Sequence, residues 1–268
     1  MIVLLLTIPL IAYISMIAFR TLGWTVINYE GYSVPYSLGS VILYGYATFS
    51  VIVPSEMSYI AFSYPALMYV VGIWILGFID DRYGSKEPKG LKGHLYFFWK
   101  KRLPTTGLIK LLGTFTLALL FVYYLQVTSL YEAVRYFLLL SWMPHMMNLF
   151  DTRPLRVWKL STLIIVPMLL SYPAPAFFLL IYGLAIYYLL FVLEGHRQAL
   201  LGDNGSTTMG AIIALMFIQF SPPSVQWVVL FFVGLMIFIA ERISFSKVIS
   251  ESGFLRWIDG IGVPYQQK

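Results

Sequence analysis

Long apolar runs alternate along this chain with short polar segments. Nine runs are interpreted as helices that cross a bilayer, for which about 20 apolar residues are needed. They cover residues 1–19, 38–54, 59–79, 107–125, 133–150, 157–172, 176–193, 207–220 and 225–240. Pro173-Ala174-Pro175 separates the sixth run from the seventh, because proline breaks a helix. The pattern predicts an all-α, polytopic transmembrane helix bundle that forms one integral membrane domain over residues 1–268.

The composition supports the membrane interpretation. The 268 residues are 59% hydrophobic and only 11% charged, whereas soluble domains carry about 25% charged residues. The chain contains no cysteine, which excludes disulfides and thiolate metal sites. We therefore expect a multi-pass protein of the cell membrane, with the membrane as its partner and no nucleic acid.

The basic residues orient the predicted spans. If the segment after Ile79 is cytoplasmic, all of the 18 Lys and Arg residues except Arg135 lie in cytoplasmic loops or at cytoplasmic helix ends. Lys and Arg concentrate on the cytoplasmic side of membrane proteins, so we predict an outer N-terminus and an inner C-terminus. The predicted cytoplasmic segments are 20–37, 80–106, 151–157, 194–207 and the tail 241–268.

Polar residues interrupt the apolar pattern at three places on the predicted cytoplasmic face. Asp80 and Asp81 follow the third run directly, Asn148 and Asp151 end the fifth, and Asp203 precedes the eighth. Carboxylates at the mouth of a membrane helix are costly and usually functional. Asn148 and Asp151 are three residues apart, so a helix would place them on one face.

These groups suit the binding of a metal ion and a diphosphate. Mg²⁺ commonly binds one or two carboxylates and completes its shell with water and substrate phosphates. A dense basic segment runs from Arg82 to Lys110 and contains Lys86, Lys89, Lys92, Lys100, Lys101 and Arg102. His94, in the same segment, is a candidate proton carrier or phosphate donor. Backbone amides at the start of the eighth span are expected to favour an anion.

Structural explanations compete with this one. Asn148 and Asp203 could be helix caps, and Asp80 and Asp81 could pair with nearby basic residues at the membrane surface. A basic cytoplasmic loop often sets topology or binds lipid headgroups. None of these alternatives accounts for four aspartates in three separate loops on one face.

Four segments together resemble the polyprenyl-phosphate N-acetylhexosamine-1-phosphate transferase superfamily. They are FIDDRYG at 78–84 with KGLKGH at 89–94, NLFD at 148–151, and GDNGSTTMGA at 202–211. Their order, spacing and predicted membrane side all agree with the family, and NYEGYSVP at 28–35 is similar to its first cytoplasmic loop. The resemblance extends from Asn28 to about Ala214.

The resemblance implies a Mg²⁺-dependent transferase of cell-envelope glycan synthesis. A polyprenyl phosphate attacks the β-phosphate of a UDP-linked amino sugar, UMP leaves, and a lipid-diphosphate-sugar remains in the inner leaflet. Asp203 would ligate Mg²⁺ with Asp80 or Asp81 close by, and spans four, five and eight would line a groove for the prenyl chain. The expected catalytic residues are Asp80, Asp81, Asn148 and Asp151, the expected metal ligands Asp203 and Asp80, and the expected substrate-binding residues Lys89, Lys92, His94, Arg102 and Asn204.

Roles within the carboxylate set stay open at this point. Either the second member of the Asp80-Asp81 pair or Asp151 would deprotonate or position the lipid phosphate. Pro154 stands where the family's second motif usually carries another Asp, and the family's late His-rich loop is absent. A non-catalytic binder or transporter of polyprenyl-linked lipid, and a structural partner in an envelope-synthesis complex, are therefore the alternatives. A homodimer is left open.

Overall fold

A computed structural model describes residues 2–28, 30–52, 59–84, 90–171, 177–240 and 242–264. The described chain is a helix bundle with one short antiparallel hairpin, in which Val26 lies opposite Val34. The elements are α1 (Ile2–Thr21), β1 (Thr25–Ile27), β2 (Ser33–Pro35), α2 (Leu38–Ile52), α3 (Tyr64–Tyr83), α4 (Gly90–Lys101), α5 (Thr106–Tyr124), α6 (Leu130–Phe150), α7 (Arg156–Ser171), α8 (Phe177–Gly195), α9 (Gly202–Phe220), α10 (Pro223–Ala240), α11 (Phe245–Glu251) and α12 (Gly253–Gly260).

The predicted helical class is confirmed, and every predicted span overlaps a described helix, although α3 begins at Tyr64, later than the predicted start at residue 59. By length and composition, five described helices can cross a membrane: Val3–Thr21, Tyr64–Tyr83, Thr106–Tyr124, Phe177–Gly195 and Pro223–Ala240. α2 is apolar but shorter. The full set of nine spans and the orientation of the termini stay predictions.

The predicted loops contain more regular structure than expected, since the segment 20–37 includes the hairpin and the tail 241–268 includes α11 and α12. The segment 80–106 contains α4, and α3 continues through Asp80 and Asp81 to Tyr83. The loop predicted at 194–207 ends earlier, because α9 begins at Gly202. The first turns of α9 are polar. Within them, Ser206 Oγ donates to the Gly202 carbonyl at 3.0 Å and Thr207 Oγ1 donates to the Asp203 carbonyl at 2.6 Å. Those hydroxyls are thereby satisfied within the helix, which a hydropathy pattern does not reveal.

α9 is the central helix of the bundle. It packs against α2, α3 and α6, and most of its side chains are buried. α3 approaches it closely at Gly77, where an added Cβ would lie 2.6 Å from both the Asn204 Cα and the Asp203 carbonyl oxygen. Such distances are impossible for a side chain, so glycine at position 77 allows the two backbones to meet beside Asp80 and Asp81.

Several polar contacts show that the segments between helices meet at one end of the bundle. Arg20 donates to the Gln198 carbonyl at 3.2 Å, and Arg197 forms an ion pair with Glu30 at 2.9 Å. Arg156 at the start of α7 pairs with Asp259 of α12 at 2.7 Å. The ends of α1, α7 and α8, the hairpin and the tail therefore belong to the same end as the aspartates of α3 and α9.

Gly77→Ala is expected to lower the free energy of unfolding by about 1–3 kcal/mol, because the new methyl group overpacks a backbone contact. Gly183→Ala in α8 is the control, since nothing lies within 4 Å of a Cβ there. That variant should be neutral or gain up to about 1 kcal/mol from helix propensity. Unfolding midpoints in detergent micelles measure both; equal midpoints for the two variants would contradict the close packing at Gly77.

Candidate functional site

A cavity of about 660 Å³ opens between α5, α6, α9 and α10. One end is polar and contains Asp80, Lys110, Asn148, Asp203 and Thr207. The wall beyond is mostly apolar and includes Leu111, Phe115, Trp142, Ile237 and Phe238. The cavity therefore joins a charged cluster to an apolar surface within one space.

Lys110 is the centre of the charged cluster. Its Nζ lies 2.5 Å from Asp80 Oδ2 and 2.6 Å from Asp203 Oδ2, and its side chain is 14% exposed. The two carboxylates come from α3 and α9, whereas the ammonium comes from α5. Three helices that are distant in sequence are thus joined by one cation.

Asn148 adds a fourth helix to this cluster. With its amide oxygen toward Lys110, it accepts from Nζ at 3.1 Å, and its nitrogen donates to Asp203 Oδ1 at 2.8 Å and contacts Ser206 Oγ at 3.1 Å. This orientation satisfies both ends of the amide. Asn148, in the last turn of α6, therefore bridges the Lys110 ammonium and the Asp203 carboxylate.

Asp81 has different partners from its neighbour Asp80. Its carboxylate accepts from the backbone amides of Asp203 and Asn204, both at 2.8 Å, and from Asn204 Nδ2 at 2.6 Å. Asp81 thus caps the N-terminus of α9 from another helix, where negative charge is favourable. The anion at these amides is the Asp81 carboxylate, which accepts from the N–H groups of both Asp203 and Asn204.

Gly202 and Asn204 complete the capped turn. Gly202 has φ +66°, and an added Cβ would lie 2.9 Å from Asp81 Oδ2. Asn204 is fully buried, and its Nδ2 also donates to the Tyr36 carbonyl at 3.0 Å. Asn204 is absent from the residues that line the described cavity. Asn204 thus supports the first turn of α9, and its predicted contact with substrate stays a prediction.

Asp151 lies beyond the end of α6, in a set of acidic neighbours. Burial raises the pKa of Asp151 well above its usual range, and the charges of Glu194, Asp203 and Asp81 raise the pKa further. Glu194, which the sequence analysis did not select, is 1% exposed. It accepts from Trp158 Nε1 at 2.6 Å and from the backbone amides of Leu155 and Leu201. Glu194 thereby holds the segment after Asp151 to the segment before α9.

The predicted basic residues are only partly described. Lys89 lies outside the described residues, and the side chains of Lys92 and His94 in α4 are not described either. Arg102 follows α4, is exposed, and places its guanidinium 5.9 Å from the Trp99 ring, away from the residues that line the cavity. Two cations that do line it are Lys110 and Arg242. Lys110 lies at the end of the predicted basic segment, but no local pattern distinguished it as a site residue.

The cluster can be tested against the expected Mg²⁺. Within the described part of the chain, no three His, Asp or Glu side chains gather around a point that could hold a metal ion. Two carboxylates and an amide oxygen nevertheless converge on the Lys110 ammonium. Because Mg²⁺ needs few protein ligands when phosphates supply the others, this donor set fits an ion shared with a substrate. It does not fit a closed protein cage, and Lys110 would have to move aside.

We expect Asp81→Asn to destabilise the protein more than Asp80→Asn. Asp81 receives three hydrogen bonds at the α9 N-terminus, and their weakening should cost about 1–3 kcal/mol. In Asp80→Asn, Lys110 keeps its ion pair with Asp203, so the midpoint should fall by less. Unfolding midpoints of the two variants and the wild type in the same detergent provide the measurement. A larger loss for Asp80→Asn would refute the capping role of Asp81.

Comparison with known proteins assigns no family to the chain. No protein-family model, no curated protein and no solved structure matches it.

Proposed function

We propose that this protein is a membrane phosphotransferase that joins a polyprenyl phosphate to the sugar phosphate of a UDP-linked amino sugar and releases UMP. The observation that carries this proposal is the Lys110 cluster at the polar end of an otherwise apolar cavity. An amphiphilic substrate with a phosphate head and a hydrocarbon tail suits such a cavity. The motif resemblance in the sequence supplies the chemical class.

The charge balance of the cluster favours a metal-assisted reaction. Asp80 and Asp203 carry two negative charges, whereas Lys110 supplies one positive charge between them. A phosphate that approached this end would meet net negative charge and be repelled. A divalent cation held by Asp203, Asp80 and the Asn148 amide would offset the charge of a diphosphate in the reaction. A simple binder of anionic lipid would gain nothing from these carboxylates.

The apolar part of the cavity is suited to a prenyl chain. Leu111 and Phe115 of α5 line it together with Trp142 of α6 and Ile237 and Phe238 of α10. The predicted groove involved α5, α6 and α9, and the cavity adds α10 to these helices. A prenyl tail along this wall would place its phosphate at the polar end.

The proposed step forms one bond and breaks one. An oxygen of the polyprenyl phosphate attacks the β-phosphorus of the UDP-sugar, and the bond from that phosphorus to the bridging oxygen breaks as UMP leaves. Lys110, once released from its carboxylates, is placed to bind a phosphate oxygen. Asp151, which follows the end of α6 that carries Asn148, is the residue that the motif resemblance suggests for positioning or deprotonating the lipid phosphate.

Arg242 is a further candidate for phosphate binding. It lies on the cavity rim after α10, with its guanidinium carbon 4.4 Å from the centre of the Phe238 ring. It is exposed and close to the apolar wall. Arginine binds phosphate oxygens in a forked geometry, so Arg242 could hold the lipid phosphate while Lys110 contacts the diphosphate.

The proposal places this site on the cytoplasmic face of a nine-span protein with its N-terminus outside and its C-terminus inside. Support comes from the distribution of basic residues, since all except Arg135 fall on that side in this topology. UDP-sugars are cytoplasmic substrates, which is consistent with that placement.

Asp203→Asn should reduce UMP release by about 10²–10³-fold, equivalent to roughly 3–4 kcal/mol of transition-state stabilisation. The assay uses purified protein, undecaprenyl phosphate, Mg²⁺ and a panel of UDP-sugars. Glu251→Gln is the matched acidic control. Glu251 is exposed, and its ion pair with Lys247 is long, at 3.8 Å, so the loss of its charge should disturb little. This variant should retain wild-type turnover, and EDTA should abolish the wild-type reaction.

Two results would contradict the transferase proposal. Full turnover in EDTA or in Asp203→Asn would exclude the metal-dependent mechanism. Absence of UMP release from every sugar, together with unchanged or tighter binding of lipid phosphate by Asp203→Asn, would favour the alternative of a non-catalytic lipid binder.

Single cysteines introduced into the cysteine-free chain test the topology. A membrane-impermeant maleimide added to intact cells should label Leu130→Cys, which is 80% exposed at the start of α6. The same reagent should label Tyr96→Cys, 68% exposed in α4, only after the cells are opened. Labelling of Tyr96→Cys in intact cells would reverse the orientation and remove the site from the side of the nucleotide sugars.

A further inference from the structure

α12 presents its apolar side away from the protein. Phe254, Trp257 and Ile261 lie on one side of this helix and its end, and they are 67%, 66% and 49% exposed. At helical spacing these three positions share a face, while Arg256 and Asp259 lie on the other. In a soluble protein the apolar face would be turned inward, so the orientation of α12 is inverted.

Polar contacts determine this inverted orientation. Arg156 donates from Nε and Nη2 to the two carboxylate oxygens of Asp259 at 2.7 and 2.8 Å. Lys159 Nζ donates to the carbonyls of Ile258 and Asp259 at 2.9 and 2.6 Å, which satisfies the C-terminus of the helix. Burial would raise the pKa of Asp259, but the Arg156 guanidinium outweighs it and lowers the pKa below the usual range. The carboxylate is thus held charged at neutral pH.

The anchoring residues place α12 at the level where the long helices end. Arg156 and Lys159 belong to the first turn of α7. After α12, the chain at Gly262 reaches the last turns of α8, where an added Cβ would lie 2.7 Å from the Phe191 ring. For membrane-spanning helices, such ends lie near the boundary between headgroups and acyl chains. α12 therefore lies beside the ends of α7 and α8, and in the proposed membrane placement these ends are close to that boundary.

The outer surface of the supporting helix is apolar as well. Leu163, in the middle of α7, is 70% exposed, and Val166 is 44% exposed. The apolar face of α12 thus has an exposed apolar counterpart on the helix that carries it. Tryptophan is enriched at membrane interfaces, because its ring is apolar and its N–H remains near water.

From these observations we propose that α12 is an interfacial helix whose Phe254, Trp257 and Ile261 insert into the leaflet on the side of the carboxylate cluster. The partner is the phospholipid bilayer itself, and the exposed Arg256 faces its headgroups. Asp259 and Arg156 connect this inserted helix to the start of α7, beside the loop that follows Asp151. The inference rests on the membrane placement proposed above and not on transferase activity.

Depth measurements with spin labels test the inference. The absence of native cysteine allows a nitroxide to be attached to Phe254→Cys, Trp257→Cys or Arg256→Cys separately. Each full-length variant is reconstituted into vesicles of phosphatidylcholine and phosphatidylglycerol. Arg256→Cys is the matched control, because it is exposed on the same helix but on its polar side.

We expect the ratio of oxygen collisions to nickel-chelate collisions to be roughly ten-fold higher at 254 and 257 than at 256, since oxygen concentrates in the bilayer. Equal ratios at the three positions would place the helix in water and overturn the inference. Spin–spin broadening at 254 and 257 would also overturn it, because it would show that a second copy covers the face. Low collision rates with both oxygen and the nickel chelate, without broadening, would show that another part of the protein covers these residues. That result would also overturn the inference.

A second measurement avoids the labelled variants. Lipids brominated near the headgroup should quench the fluorescence of the wild type more than that of Trp257→Phe, although six other tryptophans remain of the seven in the chain. Equal quenching of the two proteins would overturn the insertion of Trp257. Neither experiment measures UMP release, so its result is independent of the proposed reaction. Failure of the wild type to remain in vesicles under alkaline extraction would refute the membrane placement and the inference together.

Discussion

The candidate site depends on one ammonium group that is held by oxygens from three other helices. Lys110 of α5 contacts Asp80 of α3 and Asp203 of α9 at 2.5 and 2.6 Å, and Asn148 of α6 at 3.1 Å. In an apolar bundle each of these groups would be costly to bury alone. Together they compensate one another and hold the polar ends of four helices around one cavity. The same arrangement places a positive charge at the point between the two carboxylates.

Adjacent positions in α3 serve two different purposes at this point. Successive residues of an α-helix point about 100° apart, so Asp80 reaches Lys110 while Asp81 reaches the first amides of α9. Gly77 allows the two helices to approach closely enough for both contacts. One carboxylate therefore belongs to the cavity and the other to the support of α9. This division explains why two costly aspartates occur side by side in a chain with few charged residues.

The same end of the bundle also combines binding and anchoring. Glu194 connects the segment after Asp151 to the segment before α9, and Arg156 connects α7 to α12 through Asp259. Both are buried charged residues whose partners come from distant segments, so the loops around the cavity are held by the helices beneath them. If α12 is inserted in the leaflet, the ion pair between Arg156 and Asp259 connects it to the start of α7 and to the loop that carries Asp151.

Much of this protein was determined by its sequence alone, because its helical class depends on local hydrophobicity. Every predicted span overlaps a helix, and each of the three places where polar residues interrupt the apolar runs supplies a group to the cavity, namely Asp80, Asn148 and Asp203. The extent of α4 and the early start of α9 were missed, because aromatic and hydroxyl residues in polar segments carry no clear hydropathy signal. Only the tertiary structure separated Asp80 from Asp81, brought Lys110 to the centre, showed that Asn204 supports the first turn of α9 and revealed Glu194. These facts depend on which side chains from distant helices meet, and that is decided by the close packing of α3, α5, α6 and α9, which no local pattern records.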